Sequence, residues 1–181
     1  MHATKIYLLL LLIILSANVF SKDVESDDIL GFWLSESGRG VIQVYKEGDT
    51  YNGKLVWLMD KYTGKVAEPL DKENPDDKLK SRPLDGLKNL VGFKFDKDEW
   101  TGGTIYDPKS GKTYKAYMSL ADDSTLKLRG YVGVPLFGRT SEWKRQKSAI
   151  PDEHVKEDSD VKVKLLENLN DKEKIKKIEM H

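Results

Sequence analysis

The chain has 181 residues, with 30 Lys and Arg against 30 Asp and Glu, three His and no Cys. The segment between about Ser21 and Lys147 contains neither histidine nor cysteine. This excludes a cysteine nucleophile, disulfides, cysteine-ligated zinc and a Ser-His-Asp triad from that segment. The balanced charge argues against a nucleic-acid-binding protein, because such proteins carry a basic stripe. About 160 residues remain after the leader described next, enough for one domain with its own core.

The N-terminus has the pattern of a cleavable secretory signal. Lys5 precedes an uncharged apolar block, Ile6 to Leu15, and small residues follow at Val19 and Ser21. The block is well short of the ~20 residues that a membrane-spanning helix needs, and an uncleaved anchor is the alternative. We expect cleavage after Ser21, which makes residues 1–21 a signal peptide and the protein exported, either periplasmic or secreted.

Short β-rich runs separated by turn residues occupy the segment from Leu30 to Arg145. The predicted strands include, in chain order, Val41–Tyr45, Tyr51–Met59, Leu90–Phe95, Trp100–Tyr106, Tyr114–Leu120, Leu126–Val132 and Arg139–Arg145. Strands spaced by about 8–12 residues with turns between them are typical of an all-β barrel or sandwich. Successive hairpins indicate up-and-down antiparallel order, so residues 22–146 are predicted to form one such β-barrel domain.

One long connection, from Asp60 to about Lys88, interrupts this series of hairpins. It is rich in Asp, Lys, Pro and Gly. A connection of this length is unusual unless it covers a site or carries structure of its own. We therefore predict that it acts as a lid over the barrel.

The C-terminal segment, residues 147–181, is highly charged and contains no aromatic residue. Val161, Leu165 and Leu169 fall at helical spacing within it. We interpret the segment as a solvated tail that is partly helical or disordered. The alternative is a helix that docks on a partner protein.

Carboxylates are the candidates for any catalysis. Those nearest to aromatic or glycine-rich sequence are Asp71, Asp85, Glu99 and Asp107. A pair of them could act as in a glycoside hydrolase, but most lie at predicted turns, where an aspartate caps its own backbone. Calcium would suit the side-chain oxygens of Asp71, Asn74, Asp76 and Asp77. Their spacing is not that of an EF-hand, so we predict an acidic loop, with no metal, no cofactor and no catalytic residue.

Aromatic residues are frequent on the predicted strands and either fill the barrel core or line a pocket. An arginine inside a barrel binds a ligand carboxylate or stacks on a tryptophan and plugs the end of the barrel. The residues predicted to contact a ligand are Trp57, Tyr114, Arg129 and Tyr131.

One long motif gives the domain a family resemblance. It is Trp100-Thr101-Gly102-Gly103-Thr104-Ile105-Tyr106-Asp107-Pro108, followed by Gly111-Lys112-Thr113-Tyr114. With Asp71, Asn74-Pro75-Asp76 and Arg82-Pro83-Leu84-Asp85-Gly86, it resembles the exported bacterial family of domain of unknown function 2147, over about Ile29 to Arg145. The resemblance implies a lipocalin-like (calycin) antiparallel barrel with an interior ligand site, and it supplies no established activity.

The resemblance also implies a structural Trp/Arg pair. In calycins a tryptophan on the first strand packs against an arginine of the last strand at the closed end of the barrel. Here Trp33 would pair with Arg145, or with Arg139, and these residues would not belong to the ligand site.

These observations predict an exported barrel that binds a small amphipathic or hydrophobic molecule without catalysis. The alternatives are an envelope protein-interaction module with a filled barrel and, third, a carboxylate-dependent hydrolase. A cavity lined by aromatic side chains favours the first, and a barrel without a void favours the second. Two carboxylates roughly 5–10 Å apart in an open cleft favour the third.

Overall fold

Eight strands pair in the order in which they follow one another along the chain. They are β1 (Gly31–Leu34), β2 (Gly40–Glu47), β3 (Thr50–Leu58), β4 (Lys88–Asp96), β5 (Glu99–Asp107), β6 (Lys112–Asp122), β7 (Thr125–Tyr131) and β8 (Arg139–Gln146). In this computed structural model, which describes residues 23–155, β1 also pairs with β8 and closes the barrel. The predicted all-β, up-and-down antiparallel barrel is confirmed.

The turns between strands lie where the sequence predicts them. Gly48 joins β2 to β3 with φ of 60°, a left-handed conformation that glycine adopts without strain. Lys97 joins β4 to β5 with the same φ. Strands β2 to β8 each lie within a few residues of their predicted positions, because turn chemistry and alternation are both local signals.

The barrel end at which β1 begins is closed by a tryptophan and an arginine. Trp33 is fully buried and donates its indole N–H to the Ile29 carbonyl over 2.8 Å. The guanidinium carbon of Arg145 lies 4.1 Å from the Trp33 ring centroid. Arg145 also donates to the carbonyls of Asp28, Leu30 and Asp123, which lie on two separate segments. Arg139 is instead at the other end, mostly exposed and 3.5 Å from Glu36.

Arg145→Lys is expected to lower the free energy of unfolding by about 2 kcal/mol. Lysine keeps the charge but has neither the planar face that stacks on Trp33 nor the fork that reaches three carbonyls at once. Urea unfolding followed by tryptophan fluorescence measures the change. Arg139→Lys is the matched control, with almost no effect expected because Arg139 is exposed. Equal losses in the two variants would contradict the structural role of Arg145.

The half of the barrel next to this closed end is filled by large side chains. Its fully buried members include Trp33, Leu90, Phe93, Trp100, Met118 and Leu126. Trp100 donates its indole N–H to the Ser26 carbonyl over 3.1 Å, so the segment before β1 satisfies a buried donor. We call this end, filled by these side chains, the plugged end of the barrel.

The helical segments between the strands are short. The connection between β3 and β4 contains one helical turn, α1 (Met59–Tyr62), and a 3-10 helix over Asp77–Leu79. A second 3-10 helix, Pro135–Phe137, lies between β7 and β8. Within the described residues, no helix is long and apolar enough to cross a membrane.

The chain continues past β8 along the outside of the barrel. Pro151 is fully buried, and the His154 ring stacks on Trp57 with 5.5 Å between centroids. Residues 147–155 are therefore part of the folded unit, which extends beyond the boundary predicted at 146. The signal helix predicted over residues 1–21 and the helical stripe from Val161 to Leu169 lie outside the described residues.

Candidate ligand site

A cavity of about 940 Å³ occupies the open half of the barrel. Small residues on neighbouring strands face one another at its level, since Ala116 pairs with Gly103 on one side and with Gly130 on the other. The Phe93 ring fills the place that a side chain at position 103 would take. At Gly130 the nearest atoms to an added Cβ, on Ile105 and Tyr114, are 3.6 Å away. The absence of a side chain at Gly130 therefore contributes to the free space.

The inner wall of the cavity is mainly apolar. Ile42 pairs with Leu55 across β2 and β3, Ile105 pairs with Tyr114 across β5 and β6, and Leu128 lies on β7. Trp143 on β8 also lines the cavity, and its indole N–H is satisfied by the Ser141 hydroxyl over 2.9 Å. Because these wall side chains have no unpaired hydrogen-bonding group, they would contact the apolar part of a ligand.

One polar side chain in the cavity wall, Asn89, has an atom without a hydrogen-bond partner. Asn89 is 5% exposed and lines the cavity, and its amide oxygen has no hydrogen-bond partner. A buried amide without a partner carries a desolvation cost of about 1–3 kcal/mol. A polar ligand group that reached the Asn89 amide would recover part of this cost. The wall is therefore suited to a molecule that is mostly apolar with a polar group.

Four charged residues at the cavity mouth form two pairs. The Arg39 guanidinium contacts the Asp60 carboxylate at 2.5 Å, and Arg139 lies 3.5 Å from Glu36. Arg39 and Arg139 are the more exposed members of these pairs. Because each pair contains both signs of charge, the two pairs give the cavity no strong preference for a cationic or an anionic ligand group.

A buried carboxylate anchors the long connection between β3 and β4 to the barrel rim. Asp71 is fully buried and accepts hydrogen bonds from the Tyr106 hydroxyl at 2.6 Å and the Asn74 amide at 2.7 Å. Arg82 donates to the same carboxylate through Nε and Nη2, each at 2.8 Å. We call these four residues, Asp71, Asn74, Arg82 and Tyr106, the Asp71 clamp.

The clamp keeps Asp71 ionised. Burial acts to raise the pKa of Asp71, but the hydrogen bonds from Tyr106, Asn74 and Arg82, with the attraction of the Arg82 charge, hold it below the usual aspartate value. Burial and the neighbouring Asp71 raise the pKa of Tyr106, so its hydroxyl stays protonated and remains a donor. A carboxylate saturated in this way is a structural anchor.

The same connection also touches the β5–β6 hairpin. Gly111 has φ of 67°, and a Cβ at this position would overlap the carbonyl oxygen of Glu73. Only glycine allows the two backbones to approach so closely. Pro69 and Leu84 of the connection line the cavity. The segment predicted as a lid is thus an anchored part of the cavity rim.

Two of the four residues predicted to contact a ligand line the cavity. Tyr114 extends from β6 beside Ile105, and Tyr131 lies at the end of β7 near the mouth. Trp57 and Arg129 do not line it, and we do not retain them as ligand contacts. The two tyrosines are residues that a ligand in the cavity would meet.

Trp57 lies outside the cavity because of a register shift. Ile42 pairs with Leu55, but Val41 pairs with Trp57, so Val56 is an extra residue that moves Trp57 off the inner face. Its ring packs against Tyr62 and His154.

Arg129 acts on the loop that follows β7. Its guanidinium donates to the carbonyls of Pro135 and Leu136 and to the Thr140 hydroxyl, at distances from 2.8 to 3.3 Å. These bonds point the group away from the barrel interior, so it supports the β7–β8 loop.

Three of the four candidate carboxylates have a local role. Asp85 pairs with Lys61, Asp107 accepts from the Lys109 N–H and the Ser110 hydroxyl, and Asp71 belongs to the clamp. Glu99 begins β5, at the plugged end. In the acidic loop, Asp76 caps the 3-10 helix and Asp77 pairs with Lys80. Within residues 23–155 no cluster of three or more acidic or histidine side chains could hold a metal ion.

Sequence reasoning missed Asn89 as a residue of the site. It directly precedes Leu90, which also faces inward, so simple alternation places Asn89 outside. A register shift between β3 and β4 makes Asn89 the extra residue and turns it inward. No local sequence signal announces this shift.

The comparisons with known proteins agree with this architecture. A family model described as "Uncharacterized protein conserved in bacteria (DUF2147)" matches residues 31–145. The chain belongs to the DUF2147 family. The match ends at Arg145, so it covers the barrel and stops before residues 147–155. A comparison with curated proteins found no match.

A solved structure shares the fold. It is protein HP1028 from the human pathogen Helicobacter pylori, described as belonging to the lipocalin family. The two structures have a TM-score of 0.58 at 21% sequence identity, covering 71% of this chain and 87% of the other. At this identity the likeness establishes the lipocalin-like barrel and nothing about the ligand.

The barrel gives a structural reason for the motif residues on which the family resemblance depended. Asp71, Asn74, Arg82 and Tyr106 form the Asp71 clamp, and Gly111 allows the approach of Glu73. In this DUF2147 protein, these motif residues hold the long connection on the rim of the cavity.

Proposed function

We propose that the barrel binds one small amphipathic molecule in its cavity and does not react with it. The observation that carries this proposal is the cavity of about 940 Å³, which is open at one end of the barrel and has a mainly apolar wall. Ligand pockets are commonly about 300–1,000 Å³, with apolar walls and few polar groups. The Asn89 amide supplies such a polar group.

The carboxylates support a binding function over a catalytic one. Asp71 is held ionised by four donors, and Asp60 is paired with Arg39. A general acid or base must exchange a proton with the substrate. Asp71 is fully buried among its donors and Asp60 is engaged by Arg39, so both carboxylates serve as ion-pair partners.

A substitution at Gly130 tests the binding site. The Cβ added by Gly130→Phe would lie at ordinary van der Waals distance from Ile105 and Tyr114. Its ring would extend into the cavity, so the variant is expected to fold and to bind 1-anilinonaphthalene-8-sulfonate roughly tenfold more weakly or worse, as for a loss of 1.4 kcal/mol. Fluorescence titration measures the affinity of the probe.

Gly130→Ala is the matched control, because one methyl group leaves most of the cavity free. It is expected to bind the probe as the wild type does. Native mass spectrometry of protein from its own host extends the test: the wild type should carry a small molecule that denaturation releases, and Gly130→Phe should not. Equal probe binding by Gly130→Phe and the wild type would contradict a site in the cavity.

We also propose that the protein is exported, either to the periplasm or from the cell. The support is the leader, in which Lys5 precedes the apolar block from Ile6 to Leu15 and small residues follow at Val19 and Ser21. Cell fractionation with N-terminal sequencing tests this, and a chain that begins at Lys22 outside the cytoplasm is expected. A cytoplasmic chain that retains Met1 would contradict it.

A further inference from the structure

The loop between β7 and β8 exposes an apolar surface at the mouth of the barrel. It reads Val132-Gly133-Val134-Pro135-Leu136-Phe137-Gly138, without a polar or charged side chain. Its four large side chains, Val132, Val134, Leu136 and Phe137, are 70%, 52%, 79% and 78% exposed. Contiguous exposed apolar side chains on a soluble barrel mark an interaction surface.

The loop holds its shape through its own backbone contacts. Arg129 donates to the carbonyls of Pro135 and Leu136, and the N–H groups of Phe137 and Gly138 donate to the carbonyls of Val134 and Pro135. Backbone groups that approach a hydrocarbon phase must be hydrogen-bonded internally, because water is not available there. At the tip of the loop, the carbonyls of Val134, Pro135 and Leu136 are therefore already hydrogen-bonded within the protein before the loop contacts a membrane.

Basic side chains lie beside the apolar tip. Arg139 follows the loop directly and is mostly exposed, and Lys115 is the exposed β6 partner of Tyr131, which precedes the loop. The nearest acidic partner of Arg139 is Glu36, at 3.5 Å. Apolar side chains flanked by Arg and Lys are the pattern of segments that lie in the interface of an anionic membrane.

We infer that the β7–β8 loop docks on a lipid bilayer that contains anionic head groups. Val134, Leu136 and Phe137 enter the interface, and Arg139 and Lys115 face the head groups. Val132 and Phe137 also line the cavity mouth, so docking brings the mouth to the membrane surface. The loop itself forms the docking surface, so docking does not depend on a ligand in the cavity.

A single fluorescent label tests the docking in the whole protein as purified from its producing cells. Because the chain has no cysteine, Leu136→Cys provides one unique site for an environment-sensitive nitrobenzoxadiazole label. Val91→Cys is the matched control, since Val91 is 44% exposed on β4. A label at a defined position reports loop insertion even where another part of the chain tethers the protein to a vesicle.

On addition of phosphatidylglycerol-containing vesicles, the label at 136 is expected to shift to the blue and gain intensity. The label at 91 should not change, and pure phosphatidylcholine vesicles should give a smaller response. Val134→Ser in the Leu136→Cys background should reduce the response. Because neither Val134 nor Leu136 lines the cavity, the dye-binding test of the cavity with Gly130→Phe is independent of this membrane test.

Three results would overturn the inference. The first is an unchanged spectrum at 136, and the second is an equal shift at 91, which indicates adsorption without orientation. The third is a label at 136 that is already blue-shifted without vesicles. In the third case, dependence on protein concentration identifies a second copy as the occupant, and independence identifies another segment of this chain.

Discussion

Asp71→Ala is expected to lower the free energy of unfolding by about 3 kcal/mol or more at pH 7. The substitution removes a fully buried carboxylate and leaves the Tyr106 hydroxyl and the Arg82 guanidinium without this acceptor, while the Asn74 amide keeps its hydrogen bond to the Tyr106 hydroxyl. Breaking a buried pair by deleting one partner typically costs about 3–5 kcal/mol, and partial exposure of Arg82 moves the estimate to the lower end. Urea unfolding followed by tryptophan fluorescence measures the loss.

Asp85→Ala on the same connection is the control. Asp85 also forms an ion pair, with Lys61, but both side chains are nearly half exposed. Exposed pairs contribute about 0–1 kcal/mol, so this variant should unfold almost as the wild type does. Similar losses in both variants would mean that burial of the Asp71 clamp contributes nothing.

The effect of Asp71→Ala should shrink as the pH falls. The folded state holds the pKa of Asp71 below its ordinary value of 3.8, so the contribution of this carboxylate is complete above that value and is lost as the pH falls through the folded pKa. Asp27, Asp77 and Asp122 also have lowered pKa values, and they are present in both proteins. The difference between wild type and variant therefore isolates Asp71. A difference that is the same at pH 7 and at pH 2.5 would contradict this assignment.

Gly111→Ala is expected to cost about 3 kcal/mol or more, and to weaken the packing of the long connection on the barrel. The added Cβ overlaps the Glu73 carbonyl oxygen, and the residue must also hold φ of 67°. The left-handed conformation alone costs a non-glycine residue about 1–2 kcal/mol. Because the overlapping atom is backbone, the connection itself has to shift, which adds the rest of the cost.

Gly64→Ala separates these two contributions. Gly64 has φ of 70° but no atom within 4 Å of an added Cβ, so it carries the conformational cost without the overlap. We expect Gly64→Ala to lose only about 1–2 kcal/mol in urea unfolding. Hydrogen exchange should show faster exchange of the Asp71 and Arg82 region in Gly111→Ala and not in Gly64→Ala. Equal losses in both variants would show that the approach of Glu73 is unimportant.

Particular residues show how far local patterns reach in this chain. The strands predicted over Val41–Tyr45 and Tyr51–Met59, with the turn at Gly48 between them, depend on local properties and were predicted correctly. Trp57 was placed in the site and Asn89 was missed. The reason is that a single extra residue in a strand reverses the face of the sheet that every later side chain occupies. The sequence contains no marker for that extra residue.

Local sequence patterns also failed to predict the contacts of the Asp71 clamp, for a different reason. Asp71 and Tyr106 are separated by 35 positions, and their hydrogen bond exists only once β5 and the long connection meet at the rim. At the level of the sequence, Asp71 is an aspartate in an acidic loop and Tyr106 is a tyrosine at the end of a strand. Their shared role follows from burial, which makes an unpaired carboxylate too costly to tolerate.

The sequence by itself determined the order of antiparallel strands and the turns between them, because alternation and turn chemistry act over a few residues. It also showed that the barrel domain contains neither histidine nor cysteine. Only the tertiary structure decided that Arg145 closes one end and that a cavity remains at the other. The cavity depends on the combined volume of the side chains that eight strands place inside the barrel. No single segment of the sequence determines that combined volume.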